Sequence, residues 1–498
     1  MAVIFYKNLK KFKKLKKSNL TFSIFANGAI SHVDDSISKP NACKSFYNLS
    51  YCDGSLKTGL GFKTFGFPES EENPQETYTM DFSRLGDITD VIFDKWFQTS
   101  EEKYYYQMIL VNSRHELYTV IFFDEDKIVY LLTNVLVDDP SLCSVYRLGD
   151  EDIVLFFTKS GLYEISYSSP YHMVQNVPEL VSCAVHYDRF FGITKSDRKL
   201  VCTSNLNLDQ WDDANVQTFQ FVDNRGKFTK LVVFNDYVYL FMENGITKIS
   251  LYSSSNDSSF THLYASPSKI YENSICVCGD KILFVTRDGL HSFDGNHVSK
   301  IVSNYDNFFM HLSNENCASA CLDGKYYLAT KHDFDDGCQI GCETGAFVNN
   351  VLFSVDINNF EVEILRGVDI RKLTPVDSPF MSKLCACFYN DNKLLLGELT
   401  KDGKVFQSGT SKSWTSFFTD LGYQSKRKKL KEISLISTYD ISVKIVSDED
   451  EKIYQIAGSE KEQNIPINVC GKLFQFSFIT TNNNCEIKKP MIVFDVEI

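Results

Sequence analysis

Proline and glycine are scarce, at 11 and 25 in 498 residues, which excludes a collagen-like chain and argues against a disordered one. Helical periodicity is nearly absent beyond the first twenty positions, so a solenoid of helix pairs is excluded. No glycine-rich phosphate loop and no nucleophile with a partner at recognisable spacing occurs. Cysteine is plentiful at 15, but not at zinc spacing. Cys276/Cys278 and Cys385/Cys387 are separated by single residues, and Cys338 and Cys342 lie four apart, where a zinc site uses paired two-residue spacings. Residues 18–31, which follow the basic start, are too polar for a signal core or a membrane span. The odd, scattered cysteines therefore predict reduced thiols that pack as small hydrophobes, synthesis in a cytoplasm and no membrane association.

What the chain does have is aromatic bulk, with 40 Phe and 26 Tyr, suited to pleated and half-buried surfaces. Its net charge of −13 hides an asymmetry, because positions 7–17 hold seven lysines and no acid, and the rest carries 44 basic against 64 acidic residues. The body should repel nucleic acid. Any contact with DNA or an acidic protein should use this arm, residues 1–20, and its Lys7, Lys10, Lys11, Lys13, Lys14, Lys16 and Lys17. A second basic run, Lys426, Arg427, Lys428, Lys429 and Lys431, reads as an interdomain strip that could meet an acidic neighbouring subunit.

From about residue 104 one pattern recurs: an apolar run of strand length, a tight polar turn that usually ends in Gly, and a second apolar run. Such hairpins occupy residues 104–122, 152–166, 190–203, 237–249, 281–293, 325–355 (with a long insert) and 393–406, the last around Lys401-Asp402-Gly403. Successive turn markers Ser113, Gly161, Asp197, Gly245 and Gly289 are 48, 36, 48 and 44 residues apart. A repeat of about 40–50 residues with four short strands is what a propeller blade requires, since one small sheet cannot bury both faces alone. The runs beside the turns, such as Ile282 to Val285, are continuous, as in strands buried on both faces. The expected fold is all-β: a β-propeller of six to eight blades over residues 81–420, entered through a β segment at 21–80. Irregular strands over 421–498 predict a small β-sandwich-like appendage.

Several stretches resemble virion propeller proteins of tailed bacteriophages, of the head-to-tail connector, packaged-DNA stabilisation and tail hub or nozzle types. These are residues 25–31 (FANGAIS), 46–62 with the Asp53-Gly54 turn and the Gly61-Phe62 close, 188–194 (DRFFGIT) followed by 204–211 ending in Trp211, 279–295 and 472–480. The resemblance implies a non-enzymatic structural protein of the connector, neck or tail. It would be assembled in the bacterial cytoplasm as a multi-copy ring, with other copies, neighbouring phage proteins and packaged DNA as partners. An interaction scaffold unrelated to phage and a carbohydrate- or receptor-binding propeller are the alternatives.

The enzyme readings fail on spacing. Residues 333–337 (DFDDG) place Gly one position too early for an EF-hand and lack its bidentate Glu. The sialidase turn Ser-x-Asp-x-Gly-x-x-Trp has Leu206 in its Asp place between Ser204 and Trp211, and no opposed carboxylate pair stands out among the acids. No catalytic, cofactor-binding or metal-binding residue is therefore expected.

Overall fold

The computed structural model describes residues 15–21, 43–52, 55–58, 61–64, 66–68, 77–79, 88–98, 103–122, 131–136, 140–148, 151–165, 172–204, 206, 208–212, 215–221, 225–250, 259–312, 316–332, 347–378, 381–390, 393–400 and 411–497. They fall into two compact units, residues 61–406 and residues 1–60 with 407–498.

The larger unit contains, among the described residues, seven antiparallel four-stranded sheets. The first is Ile88–Gln98, Lys103–Asn112, Glu116–Phe122 and Leu131–Leu136, and the second Pro140–Leu148, Glu151–Thr158, Gly161–Ile165 and His172–Gln175. The third is Leu180–His186, Arg189–Thr194, Leu200–Thr203 and Val216–Phe219, and the fourth Phe228–Phe234, Tyr237–Met242, Gly245–Ser250 and Ser259–Ala265. The fifth is Cys276–Cys278, Lys281–Thr286, Gly289–Phe293 and Val298–Ile301, and the sixth Ala318–Leu322, Lys325–Thr330, Val351–Asp356 and Val362–Arg366. In the seventh, Asp369–Ser378, Met381–Asn390 and Lys393–Thr400 take their outer strand from Gly61–Thr64.

First strands touch at six of the seven junctions between successive sheets, the seventh sheet with the first included, which closes the circle. Between the fourth and fifth sheets the link is made by Phe241 packed on Phe284 and by Lys230, whose Nζ donates to the Ile275 carbonyl at 2.7 Å. This is a β-propeller. Five of the interfaces hold an apolar cluster of their own among the described residues, such as Leu155, Phe157 and Leu162 against Leu180, Phe190 and Val201. Second strands sit between both neighbours, and residues 190–194, 282–286 and 326–330 are accordingly buried throughout. Continuous apolar runs are the sequence consequence of that position.

The recurring hairpins of the sequence are the second and third strands of the sheets. Gly161 (φ +142°) and Gly289 (φ +138°) need their positive φ; Gly245 has an ordinary φ and is required for clearance, since a Cβ there would meet the Tyr264 carbonyl at 2.8 Å. The tight left-handed turns lie elsewhere, between first and second strands, at Asn235-Asp236 and Asp323-Gly324. Antiparallel order puts these turns and the third-to-fourth loops at one end of the propeller. The second-to-third turns and the sheet-to-sheet linkers lie at the other. The Lys401-Asp402-Gly403 turn falls outside the described residues, and the seventh sheet makes its second-to-third connection at Asn390 and Lys393 instead.

One expectation is corrected at the fifth and sixth sheets. Cys278 and Cys321 form a disulfide between neighbouring first strands, Cα atoms 5.4 Å apart, so the thiols are not uniformly reduced. Cys143, Cys183, Cys202, Cys276, Cys317, Cys385, Cys387, Cys470 and Cys485 are thiols outside any disulfide. Burial pushes the Cys183, Cys317 and Cys387 thiols up to about 12, as expected of inert packing thiols. Cys338 and Cys342 lie outside the described residues.

The smaller unit is a β-sandwich drawn from both halves of the sequence. One sheet runs Leu49–Cys52, Ser55–Thr58, Glu486–Glu497, Lys428–Ser437 and Ser459–Gly471, with Leu15–Thr21 also paired to Glu486–Glu497. The other runs Cys43–Tyr47, Lys412–Ser416, Phe474–Thr480, Ile441–Ser447 and Glu451–Ile456. Alternating inward residues of both, including Leu430, Ile433, Val443, Phe476, Phe478 and Phe494, form one core around Trp414. The expected boundaries change accordingly. Positions 15–20 are not a free arm but part of a strand, the segment over 43–58 belongs to the sandwich rather than to an entrance, and the propeller unit is 61–406 instead of 81–420.

Candidate assembly surface

The last strand, Glu486–Glu497, brings the two basic segments together. Leu15–Thr21 runs antiparallel along one edge of its C-terminal half, and Lys428–Ser437 runs along the other. Lys17 is opposite Asp495, and Asp495 is opposite Lys429. Residues directly opposite share a face, so Lys17, Asp495 and Lys429 make one row across three strands. In the next row Val496 and Lys428 belong to the other face, where Val496 joins the core.

On the outward row Lys17 and Lys429 are exposed. Lys431 pairs with Asp495, a carboxylate only 6% exposed. Arg427 grips Glu449 through Nε and Nη2 at 2.9 and 2.7 Å and reaches Glu497 at 3.4 Å; the Arg427 hydrogen bond holds the Glu449 carboxyl below its usual range. The Arg427 pairs, open to solvent, orient side chains more than they stabilise. Lys426 is exposed in the preceding turn, with its amide bonded to the Tyr423 carbonyl at 3.3 Å.

The basic strip is thus not a solvated linker. It opens a central strand, and Lys428 is corrected from contact residue to core: it is 1% exposed, and its ammonium donates to the Asp420 and Tyr423 carbonyls at 2.8 and 2.9 Å. Burial lowers its pKa. Lys7, Lys10, Lys11, Lys13 and Lys14 lie outside the described residues, and of Lys16 only the backbone position is described. Alternation in the run Lys429-Leu430-Lys431 was the signal for a strand with its cations outward. The pairing that joins it to Lys17 spans almost the whole chain and leaves no local trace.

A second lysine is buried in this unit. Lys412 is fully inaccessible, its Nζ donates to the Thr481 carbonyl at 3.3 Å, and burial pushes its pKa down to about 8. The unfolded chain, with lysine near 10.4, binds more protons between those values. Unfolding free energy should therefore rise with pH from about 8 to about 10.4, by roughly 1 kcal/mol per pH unit. The buried thiols act with the opposite sign, because they stay protonated in the fold while unfolded cysteines ionise. The difference between the wild type and Lys412→Met isolates the lysine. Denaturant titrations at pH 7.5 and 10 should show the unfolding free energy of the wild type minus that of Lys412→Met rising with pH, and a constant difference would refute it.

Among the described residues no group of three or more His, Cys, Asp or Glu side chains is placed to hold a metal ion, and no helix is long and apolar enough to cross a membrane. No protein-family model matches the chain, and no curated protein matches it. Among solved structures, the crystal structure of the N-terminal domain of Nup159 is similar at a TM-score of 0.38 and 11% identity, over 68% of this chain and 96% of that one.

Proposed function

We propose that the chain is a seven-bladed propeller bearing a β-sandwich and works as a non-enzymatic structural protein of a tailed-phage particle, in the connector, neck or tail. It would be present in several copies, with its own copies, neighbouring particle proteins and packaged DNA as contacts. One observation carries the assembly reading: Lys17 and Lys429, from opposite ends of an acidic chain, stand on one outer face at either side of Asp495. A cationic face on a protein of net charge −13 favours acidic surface or phosphate and orients the encounter. The reading of the whole particle rests on the resemblance of the sequence stretches.

Mass spectrometry of purified particles should find the protein as a stoichiometric component. Lys17→Glu with Lys429→Glu should leave the fold intact, lower incorporation several-fold and flatten its salt dependence. Absence from particles removes the virion reading, and normal incorporation of the variant removes this face from it.

A further inference from the structure

At the propeller end that carries the second-to-third turns, a cleft of about 180 Å³ opens between the third and fourth sheets and the linker to the fifth. Its polar lining is Arg198 from the turn of the third sheet, Lys227 and Thr229 at the start of the fourth, Glu243 from the turn of the fourth, and Lys269 and Glu272 from the linker.

The acids and the hydroxyl are engaged with the protein. Glu243 Oε2 accepts from the Lys227 amide at 3.1 Å, and Thr229 donates to the Phe241 carbonyl at 3.1 Å. Arg198 and Lys227 are used less fully. Arg198, with φ at +53°, makes a 3.4 Å bond to the Phe228 carbonyl and a 3.6 Å contact with Glu272, which leaves much of its five-donor fork unspent. The Lys227 ammonium has no carboxylate within ion-pair distance among the described residues. The backbone is shaped to this arrangement: Gly226 has φ +81°, and a Cβ there would strike Glu243 Oε2 at 2.4 Å.

We propose that this cleft is a binding site for a compact oxyanion, a carboxylate or a phosphate, taken by the Arg198 fork with Lys227 and Lys269 around it. Glu272 is its internal competitor, holding Arg198 loosely while the site is empty. The site does not depend on the particle reading.

The test is calorimetric titration of the full chain at low salt with inorganic phosphate and, separately, with N-acetylglutamate. Saturable one-to-one binding is expected with at least one of them, and the preferred probe distinguishes phosphate from carboxylate as the source. Arg198→Gln and Lys227→Gln should each weaken binding about tenfold, in line with losing one charge-assisted contact. Glu272→Gln should tighten it several-fold by freeing Arg198, an effect that mere loss of structure would not produce. Lys227 is exposed, so its variant guards against misfolding at Arg198. Saturation by neither probe, or affinity unchanged in both Arg198→Gln and Lys227→Gln, overturns the proposal.

Discussion

Replacing Cys278 and Cys321 together by serine should lower the unfolding free energy of the propeller by about 2–4 kcal/mol. The pair is 43 residues apart in sequence, and closing a loop of that length removes chain entropy from the unfolded state worth about 4 kcal/mol. The folded seam has other ties that remain in the variant. Tyr326 donates to the Ser274 carbonyl at 2.7 Å, and Ser319 donates to the Asn273 carbonyl at 2.8 Å, both from the sixth sheet to the linker that enters the fifth. The loss should therefore appear in the unfolding midpoint and not in the native near-ultraviolet spectrum. Urea titrations of oxidised wild type, reduced wild type and the double variant give the comparison, with the last two expected to coincide. Equal midpoints for oxidised wild type and variant would mean that the bridge contributes nothing.

That bridge was partly legible. Its 43-residue separation is close to one structural repeat, and residues one repeat apart stand side by side on neighbouring first strands. Read with the hairpin interval, Cys278 and Cys321 fall at nearly equivalent positions; read by zinc or secretory spacing, they look unrelated. The hairpins themselves were legible because strands such as Arg189–Thr194, Lys281–Thr286 and Gly289–Phe293 are buried almost throughout and read as continuous apolar runs. The fifth sheet's first strand, Cys276–Cys278, is too short to give a periodic signal. The oxyanion cleft was not legible at all, since Arg198, Lys227 and Glu272 come from two successive sheets and a linker and meet only when those sheets pack. The sandwich was half visible for a similar reason. Its strands over 428–497 alternate cleanly, whereas Leu15–Thr21 and Ser55–Thr58 join them through pairings more than 400 residues long. Local propensity cannot report a partner at that distance.

The same non-locality makes Phe62→Ala the substitution with the largest expected cost, about 3–5 kcal/mol. Gly61–Thr64 supplies the outer strand of the seventh sheet, with Phe62 opposite Leu399. Its ring is fully buried, stacks on Phe388 at 4.9 Å between centroids, and shares a cluster with Val368, Ile370 and Leu395. Truncation removes that apolar surface and leaves a cavity between elements that no short connection holds together. The ring seals the backbone ladder that holds this strand on residues 397–400, and loss of the strand would free the edge of Lys393–Thr400, a template for pairing with other chains. Val277→Ala, at a position 40% exposed on a first strand, serves as the control and should cost less than about 1 kcal/mol. Denaturant unfolding followed by near-ultraviolet dichroism should separate the two variants, and light scattering at intermediate denaturant should rise only for Phe62→Ala. If both variants unfold at the wild-type midpoint, the circle does not depend on this strand for its closure.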